Sequence, residues 1–239
     1  MVHIHIRIAP EILQKYPGAH VGWLCADVIV RDESSHVENL KAEMARAVAE
    51  RGLEAATLSK HPRIDSWRKI YSAMGVKPSS YKCSLEALLR RVLKGQGLWN
   101  VSSVVDCYNC ISVMSMMPMG AHDMESLEGD LELRFGRNGD VFFPLGSGEK
   151  VVQVKEHHIV YADNTKICCW LWNHRDNRQC AVTPSTRRAI FIVDAAEEKD
   201  AHDIGKALDM LAENLEHIGC TIRLRGLLRG VAPEADLGE

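Results

Sequence analysis

Apolar and polar residues alternate over residues 4–8 (Ile-His-Ile-Arg-Ile), a period of two that predicts a strand with one buried face. Residues 21–30 (VGWLCADVIV) are an almost continuous apolar run with β-branched ends, the pattern of a buried strand. Ser35 stands three residues before Glu38, and Val37, Leu40, Met44 and Val48 follow at helical spacing. A capping box therefore opens an amphipathic helix that ends near Gly52. This β-β-α start reads as one packing unit. Ser84 caps a further helix with Leu85, Leu88, Leu89, Val92 and Leu93 on its apolar face. From Leu131 onward strands dominate, at residues 131–135, 141–145, 151–154, 158–163, 167–172 and 189–193, separated by turn signals such as RNGD and GSGE. A last long helix runs from about Ala201 to His217 with Ile204, Leu208, Leu211, Leu215 and Ile218 as its stripe. Residues 221–230 then alternate as a strand and run into an acidic tail.

The 239 residues suffice for one large domain, or one domain with an appendage. The division read here is an N-terminal β-β-α segment (residues 1–62) packed on a main domain (residues 63–239), or a single domain throughout. The N-terminus has no apolar core of signal-peptide length, and no run of about 18 apolar residues occurs. Eight cysteines without a leader read as reduced thiols, so the expected location is cytoplasmic.

A net charge of −3 argues against a chain coated for nucleic acid but leaves room for a local basic face. Residues 60–94 supply that candidate: nine basic residues (Lys60, Arg63, Arg68, Lys69, Lys77, Lys82, Arg90, Arg91, Lys94) stand against Asp65 and Glu86. Two readings stay open. The charges form a solvated helix face, with Arg90, Arg91 and Lys94 complementing a helix dipole, or they form a phosphate-contacting patch. Cys107 and Cys110 make a C-x-x-C that reads as structural thiols, with metal or redox chemistry as alternatives. His3, His5, His157 and His158 read as exposed strand histidines without the carboxylates a metal site would want. No phosphate-binding or dinucleotide-binding glycine motif occurs, and no cofactor or metal is called for.

The segment SWRKIYSAMGVKPSSYKCSLEALLRRVLKGQGL is followed in order by VVDCYNCISV, MPMGAHD, GDLELRFGRNGDVFFPLG, YAD, WNHR and VTPSTRRAIFIVDAA. These phrases, over roughly residues 63–197, resemble the editing domain of the phenylalanyl-tRNA synthetase β subunit. The resemblance implies an α+β fold, a β-sandwich of unusual topology with flanking helices. It implies hydrolysis of amino acids wrongly esterified to tRNA, with the misacylated 3′ end of tRNA as partner and no DNA or membrane partner. A related fold in a tRNA lysidine-forming enzyme shows that relatives also bind tRNA without editing. The family's D-x-x-N phrase falls on Asp106 and Asn109, its P-x-x-x-x-D phrase on Pro118 to Asp123, and its V-T-x-x-T phrase on Val182, Thr183 and Thr186. Stand-alone relatives carry Trp-Asn-Trp-Arg where this chain has Trp172, Asn173, His174 and Arg175. The synthetase's glutamate has no sure counterpart, and Asp176 is the nearest carboxylate. No aminoacylation motif is present.

Ester hydrolysis needs a positioned water, a group to take its proton and donors for the oxyanion. His122 beside Asp123 offers an imidazole with a carboxylate close in sequence, and Asn109 offers an amide to orient a carbonyl or ribose from a strand or turn. These three are the candidate catalytic residues. Met119, Trp172, Asn173, His174, Arg175 and Thr183 are the candidate substrate-binding residues: arginine can grip a phosphate or carboxylate, and Trp172 offers a face for the terminal adenine. Met114, Met116, Met117 and Met119 suggest an adaptable apolar edge to the pocket. Arg68, Lys69, Lys82, Arg90, Arg91 and Lys94 are the candidate tRNA contacts. The leading expectation is a trans-acting deacylase. A non-catalytic tRNA-binding module and a small-molecule enzyme reusing the amino acid pocket are the alternatives. The amino acid and the oligomeric state are not written in the sequence.

Overall fold

The computed structural model of the chain describes residues 4–238 other than 147 and 149, so His3 lies outside the described residues. In chain order the elements are β1 (His5–Ile8), α1 (Pro10–Lys15), β2 (His20–Asp27), α2 (Ser35–Glu50), α3 (Pro62–Ala73), α4 (Ser84–Leu93) and α5 (Ser103–Ser115). There follow β3 (Met119–Asp123), β4 (Leu131–Phe135), β5 (Val141–Phe142), β6 (Val152–Gln153), β7 (Ile159–Ala162), β8 (Ile167–Trp170) and β9 (Arg175–Asp176). The last four are β10 (Arg188–Ala195), α6 (Ala201–His217), β11 (Thr221–Leu228) and β12 (Glu234–Asp236).

The strands sort into a six-stranded sheet in the order β12-β1-β4-β7-β8-β9, a four-stranded sheet in the order β11-β2-β10-β3, and the small β5-β6 pair. The four-stranded sheet is antiparallel throughout. The six-stranded sheet has one parallel pair, β1 with β4. The architecture is α+β, as expected. β1 and β2 do not pair with each other: β1 joins β4 and β12, and β2 joins β10 and β11. The first strands of the chain are thus built into both sheets. The acidic tail closes back as β12, pairing Glu234 and Asp236 with Arg7 and His5.

Local sequence explains most of the elements. α6 lays Ile204, Ala207, Leu208, Leu211 and Leu215 against the sheet. Gly22 of β2 makes room for it, because a Cβ there would lie 2.3 Å from Ile204 Cγ2. α3 starts on Pro62, whose missing N–H is no loss in the first turn. Two helix starts differ from expectation by one residue. Ser34, not Ser35, precedes α2 and forms no side-chain cap bond. Cys83, not Ser84, caps α4, its sulfur accepting from the Glu86 N–H. α5 covers the stretch that holds Asn109, so that residue sits in a helix, not on a strand or turn. Nine of its thirteen residues are buried, which leaves no polar face to betray the period. Among the described residues no helix is long and apolar enough to cross a membrane.

Candidate active site

β3 and β10 form one wall of a small cavity. They pair with Ile190 opposite His122 and Ile192 opposite Gly120. Side chains alternate along a strand, so Gly120 and His122 share a face with Ile192 and Asp194. The other sheet supplies the facing wall: Tyr161 from β7, Cys169 from β8, and the hairpin from Trp172 to Asp176. The cavity between them has a volume of about 40 Å³, and Met119 and Ser84 complete its lining.

The hairpin between β8 and β9 is strained. Leu171 and Trp172 have φ of 54° and 64°, in the left-handed region that bulky side chains avoid. Trp172 N–H donates to Ile159 O at 2.6 Å and His174 N–H to Trp170 O at 3.2 Å. The Trp172 ring is fully buried, edge-on to Tyr16 and Trp67 at centroid distances of 5.8 and 5.1 Å. Its indole N–H donates to Asp194 Oδ1 at 3.1 Å. An exposed stacking face for adenine is therefore not what Trp172 provides. Its aromatic mass is consumed in the core.

Asp194 binds the sheets together. Tyr161 O–H donates to it at 2.6 Å, and Asn173 Nδ2 donates at 3.1 Å while its own Oδ1 accepts from Tyr71 O–H at 3.2 Å. Burial raises the Asp194 carboxyl to about 7, and these donors oppose the rise. Asp176, whose oxygens face Gly120, is raised by burial too and drawn down by His122. Among the described residues neither carboxylate has a lysine or arginine ion pair. His122 is 1% exposed and its Nδ1 has no hydrogen-bond partner among the described residues. Burial lowers its pKa, against the pull of Asp176 and Asp163, so the ring is neutral near pH 7, and Nδ1 is itself buried and left without a partner on a residue that lines the cavity.

The structure brings together His122, Met119, Trp172, Asn173, His174 and Arg175 on this cavity. It does not bring the other candidates there. Asp123 points to the opposite face of β3, where Oδ2 accepts from Thr186 O–H at 2.7 Å and Oδ1 from Glu125 N–H at 2.9 Å. Adjacent strand residues face opposite ways, so His122 and Asp123 form no dyad. Asp176 is the carboxylate on the side of His122. Thr183 belongs to the turn held by Thr186 and Ser185. Asn109 is half-buried on α5, off the cavity. Of the four candidate methionines Met119 lines the site, while Met114 and Met116 edge a different groove with Arg51 and Arg63.

Outside the cavity, His174 and Arg175 are shared with an open groove of about 390 Å³ that Tyr81, Trp170, Pro144 and Lys150 also line. His174 Nδ1 donates to Lys82 O at 2.7 Å, and its ring meets Tyr81 and Trp170 edge-on. Burial holds its pKa down.

The basic stretch is less free than its charge count implies. Arg68 and Arg90 both bind Glu86, at 2.9 and 2.8 Å, and Glu86 is fully buried. Arg91 stacks on Trp99 at 4.2 Å, Lys69 pairs with Asp65 at 2.8 Å, and Lys82 donates to Ser79 O at 2.5 Å. Lys77 and Lys94 are exposed and have no acidic partner among the described residues. Cys107 and Cys110 are buried in α5, and all eight cysteines are free thiols. His158 accepts from Trp170 Nε1–H at 3.0 Å, and burial pushes it down to about 4.

Sequence reasoning missed Asp194, Tyr161, Gly120, Cys169 and Ser84. The one signal for Asp194 was a lone carboxylate directly after the apolar run AIFIV.

Comparison with known proteins agrees with this architecture. Residues 66–218 match the B3/4 domain family. The chain is 27% identical over 146 residues to the phenylalanine–tRNA ligase β subunit of Chromobacterium violaceum, a match covering 57% of this chain and 18% of that protein. The crystal structure of an N-terminal fragment of the phenylalanyl-tRNA synthetase β-subunit from Pyrococcus horikoshii superposes with a TM-score of 0.51 at 10% identity, over 98% of this chain and 54% of the fragment. The chain thus spans under a fifth of the ligase subunit and about half of the fragment. At 10% identity the second likeness speaks to fold alone.

Proposed function

The chain belongs to the B3/4 domain family, and from that premise we propose that it hydrolyses the ester joining a wrongly attached amino acid to the 3′ end of tRNA, acting in trans. One observation carries the reading. His122, buried with Nδ1 unpartnered, stands in a cavity that also holds the carboxylates Asp176 and Asp194. A histidine kept neutral by burial, with a ring nitrogen free to accept, is arranged to take a proton at neutral pH.

The chemistry follows in two steps. The His122 imidazole takes a proton from water as the water oxygen bonds to the ester carbonyl carbon. Asp176 stabilises the imidazolium that forms. The tetrahedral intermediate then collapses, the bond from carbon to ribose oxygen breaks, and His122 returns the proton to that oxygen. The products are the free amino acid and tRNA with its hydroxyl restored. Ser84 O–H, whose nearest acceptor (Met119 O) is 3.4 Å away, is the donor best placed for the developing oxyanion. The outer groove offers the half-buried Tyr81 for a base and Lys150 and Arg175 for a phosphate.

The test is His122→Ala and His122→Asn in single-turnover deacylation of mischarged tRNA, alongside tRNA binding. The rate is expected to fall by at least ~100-fold, the low end for loss of a general base, with the dissociation constant changed by under about threefold. Equal losses in rate and binding would remove His122 from the chemistry. Binding without release of amino acid by the wild type would make the chain a binding module.

A further inference from the structure

We infer that the amino acid admitted to this cavity is small, namely glycine, alanine or serine as its ester, and that Gly120 sets the limit. The inference rests on the deacylase reading and specifies its substrate class.

Size is the first argument. The cavity holds about 40 Å³, about three times the 10–15 Å³ one water probe occupies, whereas a cavity of roughly 150 Å³ is needed to take a benzene ring. A phenylalanyl or tyrosyl side chain fails by a wide margin. A methyl or hydroxymethyl group beside an ammonium fits. The walls are also hard to move. Trp172 is held by Asp194, Tyr16 and Trp67, and Gly120 and Ile192 lie in paired strands. Admitting a ring on these sides requires backbone displacement, and only the side formed by His174 and the exposed Arg175 can widen by a rotamer change.

Charge is the second argument. Asp176 and Asp194 both lie on the cavity wall without a lysine or arginine ion pair among the described residues, and Arg175 on the same lining draws Asp176 down through space only. An enclosed carboxylate lacking a cation is electrostatically expensive. The α-ammonium of an aminoacyl ester supplies that cation and points the side chain at Ile192. The ester stays at the mouth, where His174 and Arg175 separate cavity from groove.

Gly120 is the third. A Cβ built there would lie 3.6 Å from Asp176 Oδ1 and 3.9 Å from Oδ2, with no closer heavy atom. Those are ordinary contacts, so the fold accepts alanine at this position. The added methyl would stand in the space offered to the substrate.

The experiment charges one tRNA body in turn with glycine, alanine, serine, valine, phenylalanine and tyrosine, and measures kcat/KM for release by the wild-type protein. Glycyl, alanyl and seryl esters are expected to exceed phenylalanyl and tyrosyl esters by at least ~100-fold, within the span set by a few misplaced methylenes. In Gly120→Ala the ratio of glycyl to alanyl release should rise at least tenfold, about the worth of one methyl group. A lactyl ester, with hydroxyl in place of ammonium, should be released at least tenfold more slowly than the alanyl ester. Parity of phenylalanyl with alanyl release overturns the size limit. An unchanged glycyl-to-alanyl ratio in folded Gly120→Ala overturns the role of Gly120, and equal lactyl and alanyl rates overturn the ammonium assignment. If no ester is released, the deacylase reading fails separately, and calorimetry with non-hydrolysable alanylamido- and phenylalanylamido-adenosine decides the size question. Tighter alanyl binding upholds it, and equal or weaker alanyl binding overturns it.

Discussion

Replacing Asp194 by asparagine should change how stability depends on pH, by an amount that follows from its surroundings. Asp194 is 2% exposed and accepts from Tyr161, Trp172 and Asn173, with Asp176 as the other carboxylate on the cavity. Its pKa is raised from 3.8 to about 7, chiefly by burial. A carboxyl with a raised folded-state pKa favours folding most below the unfolded value, where both states are protonated. As pH rises towards the folded pKa, the unfolded chain gives up its proton first and stability falls. The slope steepens to about −1.4 kcal/mol per pH unit between the two pKa values, and the whole loss, from below the unfolded pKa to above the folded one, is roughly 4 kcal/mol. Against a domain stability of about 5–15 kcal/mol that is a large term. The lowered pKa values of His61, His122, His158 and His174 work the other way, since their unfolded forms bind protons more readily. Both proteins contain them, so the difference between wild type and Asp194→Asn isolates the carboxylate, with Asp176 titrating alongside. Urea unfolding at four pH values from 4.5 to 8 gives that difference. The stability of the wild type relative to the variant should drop by about 3 kcal/mol over the range. Parallel curves, within about 1 kcal/mol, would refute the claim that a carboxyl is held uncompensated between the sheets.

Three further outcomes are expected. Glu86→Gln should cost about 3 kcal/mol in urea unfolding, the low end for breaking a buried ion pair because Arg68 and Arg90 each keep contact with solvent; a loss under about 1 kcal/mol would show that the triad is ornamental. Lys77→Glu and Lys94→Glu should each lower the salt slope of tRNA binding by about one, and an unchanged slope would place these lysines off the interface. Asp123→Ala should cost about 1–2 kcal/mol through its bonds to Thr186 and Glu125 while deacylation stays within about threefold of wild type, whereas a rate loss above tenfold would return Asp123 to the chemistry.

What the sequence makes legible depends on whether an element meets water. α6 can be read to its ends because one face is wet and the stripe from Ile204 to Leu215 is not. α5 cannot, since burial nearly all round erases the period. The same distinction governs charge. Glu86 looks like an exposed helix partner for Arg90 four residues on, but Leu85, Leu88 and Leu89 carry that side of α4 inward and take the carboxylate with them. Counting charges along residues 60–94 therefore overstates the free cations. At the site, the ordered family phrases pick out His122, Met119 and the 172–175 turn. Asp194 escapes because a single carboxylate after an apolar run reads as the end of a strand, and its partners Tyr161, Trp172 and Asn173 lie 21–33 residues away in sequence.

The costs in this protein gather at one place. Two bulky residues in succession, Leu171 and Trp172, hold left-handed backbone, at about 1–3 kcal/mol each. The Asp194 carboxyl that receives the Trp172 indole is itself disfavoured by burial. A sequence shaped for stability alone would set glycine in the turn and an apolar side chain at position 194. Neither change is independent of the cavity. The left-handed pair is what turns Trp172 and Asn173 inward while Arg175 faces the outer groove. Asp194 fixes both inward residues through Oδ1 and Oδ2. Local rules are broken together where the two sheets leave an orphaned imidazole nitrogen and a space of about 40 Å³. That coincidence is expected of a site whose geometry matters more than its contribution to folding.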